Sequence, residues 1–408
     1  MRIAYFSDNF YPEVSGITDS ILTQGDEMKK RGHEVLYVAP YYAKRDYEAT
    51  LVKDEKGNVI PEPEREYNVV HIPSLFFPGS PTGHGRIALP LLASLSKVKR
   101  FKPDIIHTQT PYGAGLEALF VSRILGVPLI GTNHSPIEAY IEYSPIPFPG
   151  LEHIAKRYDS WYYNRCHYVT APYQGLIDLM RGRGFKKPGG GQPNPISLEQ
   201  FTPTTPEEKQ DYKKALGIEG PLIVYAGRLA PEKHVDDILR AVGRLVEIFP
   251  NILFVASGHG SAQKSLKLLA HQEKIREHVR FPGFVTSEEL SILYKAADVF
   301  VIMSTAETQS LVLMQAYASG TPAVVARAGA LPEFTPPECG FVVDVGSDAQ
   351  LSQKIELILK DSPLREKMGR AAINYVQQFS PEKIAAQWEK IYASCFDKNL
   401  RLMDDAKK

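Results

Sequence analysis

A charge imbalance is the first thing this sequence lacks: among its 408 residues, Lys plus Arg and Asp plus Glu number 47 each. Without a net field there is no long-range pull toward nucleic acid or an acidic partner, so any affinity for anions or membranes has to be local. Cysteine is also scarce. Cys166, Cys339 and Cys395 are odd in number and far apart, with no Cys-x-x-Cys pair. That excludes a disulfide framework and reads as reduced structural thiols in a cytoplasmic protein. No apolar run is long enough to span a bilayer. The chain opens on a strand-like segment, Arg2 to Ser7, in place of an apolar signal core. A membrane role is therefore expected only at the surface.

What is present is an ordinary globular composition, 43% hydrophobic and 23% charged, in a chain long enough for two or three domains. Short β-rich runs alternate with helical patterns, which predicts an α/β fold with parallel sheets covered on both faces. In the first half the expected strands are 2–7, 33–40, 67–73, 104–109, 128–133 and 167–172. A helix from about Ile17 to Arg31 joins the first two, with Gly32 ending it, and the polar segment 41–66 reads as an excursion from the sheet. The run Lys186 to Pro195, with three consecutive glycines, predicts a turn or linker. A second strand series follows at 221–227, 252–257, 279–281, 298–303, 322–326 and 341–344. The boundary falls at about 195–205, giving domains 1–197 and 198–380. A last helix, starting at Ser380-Pro381 and spanning about 381–408, is expected to pack back on the first domain. In open α/β sheets ligands bind outside the carboxyl ends of the strands.

Two segments carry candidate chemistry. The strand Leu222 to Ala226 runs into Gly227-Arg228-Leu229-Ala230-Pro231-Glu232-Lys233. Gly227 allows close approach of a ligand to the backbone. Arg228 can fork onto phosphate oxygens, and Lys233 adds a point charge, so the pair suits a diphosphate. Further on, the strand 298–303 is followed by a turn holding Glu307 and by a helix expected from about Thr308 to Ser319, with Gln315 on it. Free amides in that helix's first turn favour a phosphate. Each segment alone also reads as surface charge at a turn or as an acid at a helix N-terminus.

Taken together these segments resemble family 4 of the retaining glycosyltransferases, which have the GT-B fold of two facing Rossmann-like domains with a cleft between them. The pieces are Gly-Arg-Leu-x-x-Glu-Lys, then Glu-Thr-Gln-x-Leu-Val-Leu and Ala-Ser-Gly-Thr-Pro. Agreeing in order are Phe10 to Ile17, Lys30 to Val35, Pro103 to His107, Thr132-Asn133-His134, Gly258-His259-Gly260 and Phe281 to Phe284. The resemblance implies that Arg228 and Lys233 bind the donor diphosphate and stabilise its developing charge. By the same resemblance, Gly16 offers backbone donors to the phosphates, while Gly227 and Gly258 line the nucleotide side. Glu307 holds hydroxyls of the transferred sugar, the amides of Thr308, Gln309, Ser310 and Leu311 hold sugar and phosphate, and His134 reaches the sugar. The leaving phosphate takes the acceptor proton, and no metal or other cofactor takes part. His107 and His134 lack a carboxylate at metal-ligand spacing.

One position departs from the family pattern. Gln315 stands where a second glutamate usually contacts the ribose, eight residues after Glu307. Glutamine can accept from a hydroxyl but lacks charge assistance. Pro193-Asn194-Pro195-Ile196-Ser197 also replaces the usual Asn-Gly-Ile/Val-Asp run.

The Glu-Thr-Gln form and the Ser-Gly-Ile loop look most like the branch that glycosylates diacylglycerol and related membrane lipids. UDP-glucose is the first donor expected, with UDP-galactose and GDP-mannose behind it. Leu75-Phe76-Phe77-Pro78, read as an exposed apolar loop, and the basic stretches Ser96–Lys102 and Met180–Lys187 suit an anionic surface, here the inner face of the plasma membrane. They also read as solvated helix ends. Three alternatives stand beside this reading: a transferase with a soluble or polysaccharide acceptor, a non-catalytic nucleotide-sugar-binding module, and a nicotinamide dehydrogenase. The last rests on Gly113-Ala114-Gly115, but no acidic residue closes the next strand.

Overall fold

Continuous runs of buried β-branched and aromatic residues form two parallel sheets in this chain, seen in a computed structural model. The structure describes residues 1–13, 15–43, 67–77, 85–137 and 150–396. Strands β1 (Arg2–Phe6), β2 (Glu34–Pro40), β3 (Val69–Ile72), β6 (Ile105–Thr108), β7 (Leu129–Thr132), β8 (Tyr168–Ala171) and β9 (Gly189–Gly191) make the first sheet, in the order β3-β2-β1-β6-β7-β8-β9. The second contains β10 (Leu222–Ala226), β11 (Leu253–Ser257), β12 (Val279–Gly283), β13 (Val299–Ile302), β14 (Ala323–Ala326) and β15 (Gly340–Val343), in the order β12-β11-β10-β13-β14-β15. Strands such as Leu222–Ala226 and Val299–Ile302 are buried at every position, as in sheets covered by helices on both faces. A short antiparallel ribbon of β4 (Ser74–Phe76) and β5 (Arg86–Ala88) stands apart.

In both sheets the chain walks outward from its first strand and then returns to that strand's other side. The reversal places a switch point between β1 and β6 in one sheet, and between β10 and β13 in the other. Ligand crevices open at the carboxyl ends there.

The chain divides into two compact units, 196–380 and 1–195 together with the last described helix, Pro381–Ser394. That helix buries Ile384, Ala385, Trp388 and Tyr392. The Tyr392 hydroxyl lies 3.1 Å from the Tyr5 hydroxyl and 2.9 Å from His107 Nδ1, and accepts from Gln24 Nε2 at 3.2 Å. Arg31 and His33 hold Glu389 at 2.6 and 2.8 Å.

Three expectations need correction. The glycine run 189–191 is an edge strand, where close approach leaves little room for side chains: a Cβ on Gly189 would lie 2.4 Å from the Val169 carbonyl oxygen. The apolar stretch at 75–76 is a strand of the β4–β5 ribbon; Pro78 and residues 44–66 lie outside the described residues. The helix expected from Thr308 begins at Leu311 and ends at Ala318, because Ser310 is its N-cap and accepts from the Leu313 amide.

Candidate active site

At the switch point of the second unit, the turn after β10 meets the turn after β13. Tyr225 is buried on β10 and its hydroxyl donates to the Arg228 carbonyl oxygen at 2.8 Å, shaping the exit from the strand. Burial raises this phenol's pKa, with Glu307 adding to the effect. Gly227 has φ of +142° and Gly258 has φ of +129°. A Cβ on Gly258 would meet the Gly227 carbonyl oxygen at 1.9 Å, so the two loops can touch only through glycine.

Lys233 ends a short helical turn, Pro231–Lys233, and its Nζ donates to Glu307 Oε1 at 2.6 Å and to Ser304 Oγ at 3.2 Å. Thr305 fastens the two turns, its amide donating to the Glu232 carbonyl oxygen at 3.0 Å and its hydroxyl at 3.2 Å. Glu307 is held in turn: its carbonyl oxygen accepts from the Ala330 amide at 2.9 Å, and Gly329 packs against it with φ of +53°. Arg228 is 46% exposed and pairs with Glu232 at 2.9 Å. A lysine, an arginine and a carboxylate therefore stand at one crevice, where an anion can take over the cations and a hydroxyl can take over the carboxylate.

The amides of Thr308 and Gln309 belong to the turn, while Ser310 and Leu311 stand at the helix N-terminus. Gln315 lies one helical turn beyond Leu311, and its Oε1 is buried with no hydrogen-bond partner among the described residues. Gly16 and His134 are carried by the first unit. Gly16 opens the helix Gly16–Lys30, whose N-cap Ser15 accepts from the Thr18 amide. His134 is buried after β7, where its Nε2 lies 2.7 Å from Gln109 Oε1. Burial lowers its pKa to about 4 and keeps the ring neutral.

Ser304, Thr305 and Gln109 are not among the residues singled out from sequence. The position of Ser304 and Thr305, directly after the buried strand β13, is the signal that finds them.

The first unit's switch point is filled by the protein itself. The buried Asp8 carboxylate accepts from Thr110 Oγ1 at 2.7 Å and from the amides of Ala88 and Ala114 at 3.0 and 3.1 Å. The helix N-terminus at Gly113–Leu125, which a dinucleotide would need, is thus already occupied. A Cβ on Gly115 would lie 2.0 Å from the Thr110 carbonyl oxygen, so this glycine serves packing. His107 is bonded through both ring nitrogens, to Thr132 at 2.7 Å and to Tyr392, which leaves no lone pair for a metal. His234, Asp236 and Asp237 do converge, but Arg240 already bridges both aspartates. No helix among the described residues is long and apolar enough to cross a membrane.

Two doubly wound units, one of them with cations at its switch point, define an α/β protein of the GT-B fold. Sequence comparison makes this specific. Residues 14–200 match the profile described as Glycosyltransferase Family 4, and residues 207–375 match Glycosyl transferases group 1. The chain is a glycosyltransferase of family 4. It is 24% identical to alpha-monoglucosyldiacylglycerol synthase of Acholeplasma laidlawii over 98% of each chain. It is 28% identical to a GDP-mannose-dependent alpha-mannosyltransferase of Corynebacterium glutamicum, over 96% of this chain and 89% of that one. The Anabaena protein HepE, solved in complex with UDP, shares the fold at a TM-score of 0.75 with 19% identity, over 97% of this chain and all of that one.

Proposed function

We propose that this enzyme transfers glucose from UDP-glucose to a hydroxyl of a diacylglycerol-like membrane lipid, with retention of anomeric configuration and without a metal. The observation that carries the reading is the Lys233–Glu307–Ser304 contact at the β10–β13 switch point. There Lys233 and Arg228 take the diphosphate, and stabilise the charge that develops on it as the glycosidic bond breaks. Lys233 then exchanges Glu307 for phosphate, which frees the carboxylate for sugar hydroxyls. Loop and helix-start amides from Thr308 to Leu311 hold sugar and phosphate, Gln315 accepts from a nucleotide hydroxyl, and Gly227 and Gly258 keep the nucleotide-side backbone open. Gly16 serves the phosphates and His134 the sugar. The departing phosphate oxygen takes the acceptor proton, so the chain supplies no separate base.

The acceptor assignment follows the diacylglycerol named in the Acholeplasma relative. A lipid surface is supported by Leu75 and Phe76, 61% and 50% exposed on the β4–β5 ribbon. Further support comes from Lys97, Lys99, Arg100 and Lys102, in or directly after the helix Leu95–Phe101. A GDP-mannose donor is the second reading, favoured by the similarity to the Corynebacterium mannosyltransferase.

The test is a donor panel read by thermal shift, since a ligand that binds the folded state raises Tm by mass action. Turnover on diacylglycerol in anionic and in neutral vesicles follows, with the product anomer read by NMR coupling. UDP-glucose should give an α-glucolipid, faster on anionic vesicles. Mannolipid from GDP-mannose alone would overturn the donor, and product only from soluble acceptors would overturn the lipid.

A further inference from the structure

We propose that Gln109 is a positioning residue for His134, and that the two side chains together bind a hydroxyl group of a neutral, polyhydroxylated ligand. The inference deepens the reading of His134 as a sugar contact. Strands β6 and β7 are parallel neighbours, with Thr108 opposite Gly131. Gln109 and His134 therefore leave the sheet beside one another at its carboxyl edge. They are 3% and 6% exposed and line one small cavity with Thr110, Tyr112, Asn133 and Ser135.

The donor and acceptor count at this pair is one-sided. The Gln109 carbonyl oxygen can only accept, so the proton of the His134–Gln109 contact sits on His134 Nε2. A neutral imidazole carries one proton, which leaves the Nδ1 lone pair as an acceptor. On the other side of the amide, Gln109 Nε2 is buried and has no hydrogen-bond partner among the described residues. Native proteins rarely leave a buried donor unpaired, and its vacancy points to a ligand or a water. Nδ1 accepts and the amide donates, which matches a hydroxyl, a group that does both. No lysine or arginine lines the cavity, so an anion is disfavoured there. Were the amide turned over, its nitrogen would donate to Nε2, the ring proton would move to Nδ1, and a buried carbonyl would be left bare.

Histidine-selective ¹⁵N NMR of the full-length protein tests the positioning role without any substrate, with His134→Asn to assign the signal. Wild type should show a single Nε2-protonated tautomer. Gln109→Leu should give mixed tautomers, and Gln109→Glu should raise the His134 pKa, because a carboxylate partner favours imidazolium. The other titratable groups facing this pair are His107, Asp159, Tyr112 and Tyr163, so each variant is compared with wild type at matched pH. For the donor that wild type turns over, Gln109→Leu should lose about tenfold in kcat/KM, mostly in KM. Gln109→Glu should move the acid limb of the pH profile upward. An unchanged tautomer and titration in both variants, each folded by circular dichroism, would overturn the positioning role. An unchanged kcat/KM in Gln109→Leu would overturn the hydroxyl site. If wild type turns over no donor, the functional reading fails and the spectrum alone decides the role of Gln109.

Discussion

The two units share one strand order and differ in the charge they place where that order reverses. After β1 comes Asp8, buried, its carboxylate taken up by Thr110 and the amides of Ala88 and Ala114. After β10 come Gly227, Arg228 and Lys233, with the lysine on Glu307 and Ser304. One reversal is closed with a carboxylate that consumes a helix N-terminus, and the other is left with cations that an anion can claim. Topology alone would allow a nucleotide at either place. The side chains distinguish them: cations stand at the second unit's reversal and an already bonded carboxylate at the first.

The largest expected effects separate the two reversals. Lys233→Ala should cost turnover by about 10²–10³-fold, the usual loss when one preorganised charge-stabilising donor is removed. It should lower the second unit's stability by only about 1–2 kcal/mol, since a partly buried ion pair and one hydrogen bond to Ser304 are lost. Asp8→Ala should do the reverse to its own unit. It strands three donors in the interior at about 1–3 kcal/mol each, so the loss is on the order of 3 kcal/mol or more. Both tryptophans, Trp161 and Trp388, lie in the first unit, so fluorescence-monitored urea unfolding reads that unit alone. For Lys233→Ala the second unit is followed by far-ultraviolet circular dichroism in the same urea titration, and equal stability losses in the two variants would end the contrast.

A second effect is acid sensitivity. His134 titrates at about 4 and His107 well below its ordinary value, both through burial in the first unit. A depressed histidine contributes stability that is complete above the unfolded value near 6.5 and is lost as pH falls through the folded value. From pH 7 to pH 5 the His134 share is about 2 kcal/mol by linkage. Asp8, raised by burial, acts in the opposite sense, so the share is read as wild type minus His134→Gln. The lowered carboxylates of the second unit, Glu208 through the Thr205 amide and Asp344 through Arg327, respond only below their ordinary values of 4.5 and 3.8. Lys209, held at about 8 by burial, has finished titrating above this window. The tryptophan signal should therefore lose stability between pH 6.5 and 4 in wild type and less in the variant. Parallel slopes would remove His134 as the cause.

What was legible in the sequence follows from how each feature is encoded. The twelve expected strands all occur. Central ones such as Leu222–Ala226 and Val299–Ile302 are buried on both faces and write themselves as unbroken apolar runs, while β3 and β12, partly exposed, are mixed in character. Lys233 and Glu307 come together as their motifs suggest, 74 residues apart in sequence and 2.6 Å in space. Gly189–Gly191 misled because an edge strand without side chains has no pattern to read. The β4–β5 ribbon is short, with three residues in each strand, and its pairs run from Ser74 with Ala88 to Phe76 with Arg86. Ser304, Thr305 and Gln109 are common residue types whose importance comes only from what the fold places beside them. Asp8 was hidden for the same reason: its partners come from β5 and from the turn after β6.

The smallest effect sharpens the second reversal from within. By its resemblance to the family Gln315 replaces a glutamate, and its Oε1 is buried with no hydrogen-bond partner among the described residues. In the free protein Gln315→Glu should therefore destabilise slightly, since a carboxylate is harder to bury than an amide. With the nucleotide bound, two forces compete. A charge-assisted bond from a ribose hydroxyl is roughly twice as strong as a neutral one, a gain of about 1 kcal/mol. Repulsion from the diphosphate opposes it and weakens with distance. If Gln315 faces the ribose, as proposed, the first force wins, and the donor KM should fall about fivefold with kcat nearly unchanged, the signature of uniform binding. If KM rises instead, Gln315 lies against the phosphates, and the ribose must find its acceptor elsewhere in the second unit. Measuring KM at low and at high salt separates the cases, because only the repulsive contribution is screened.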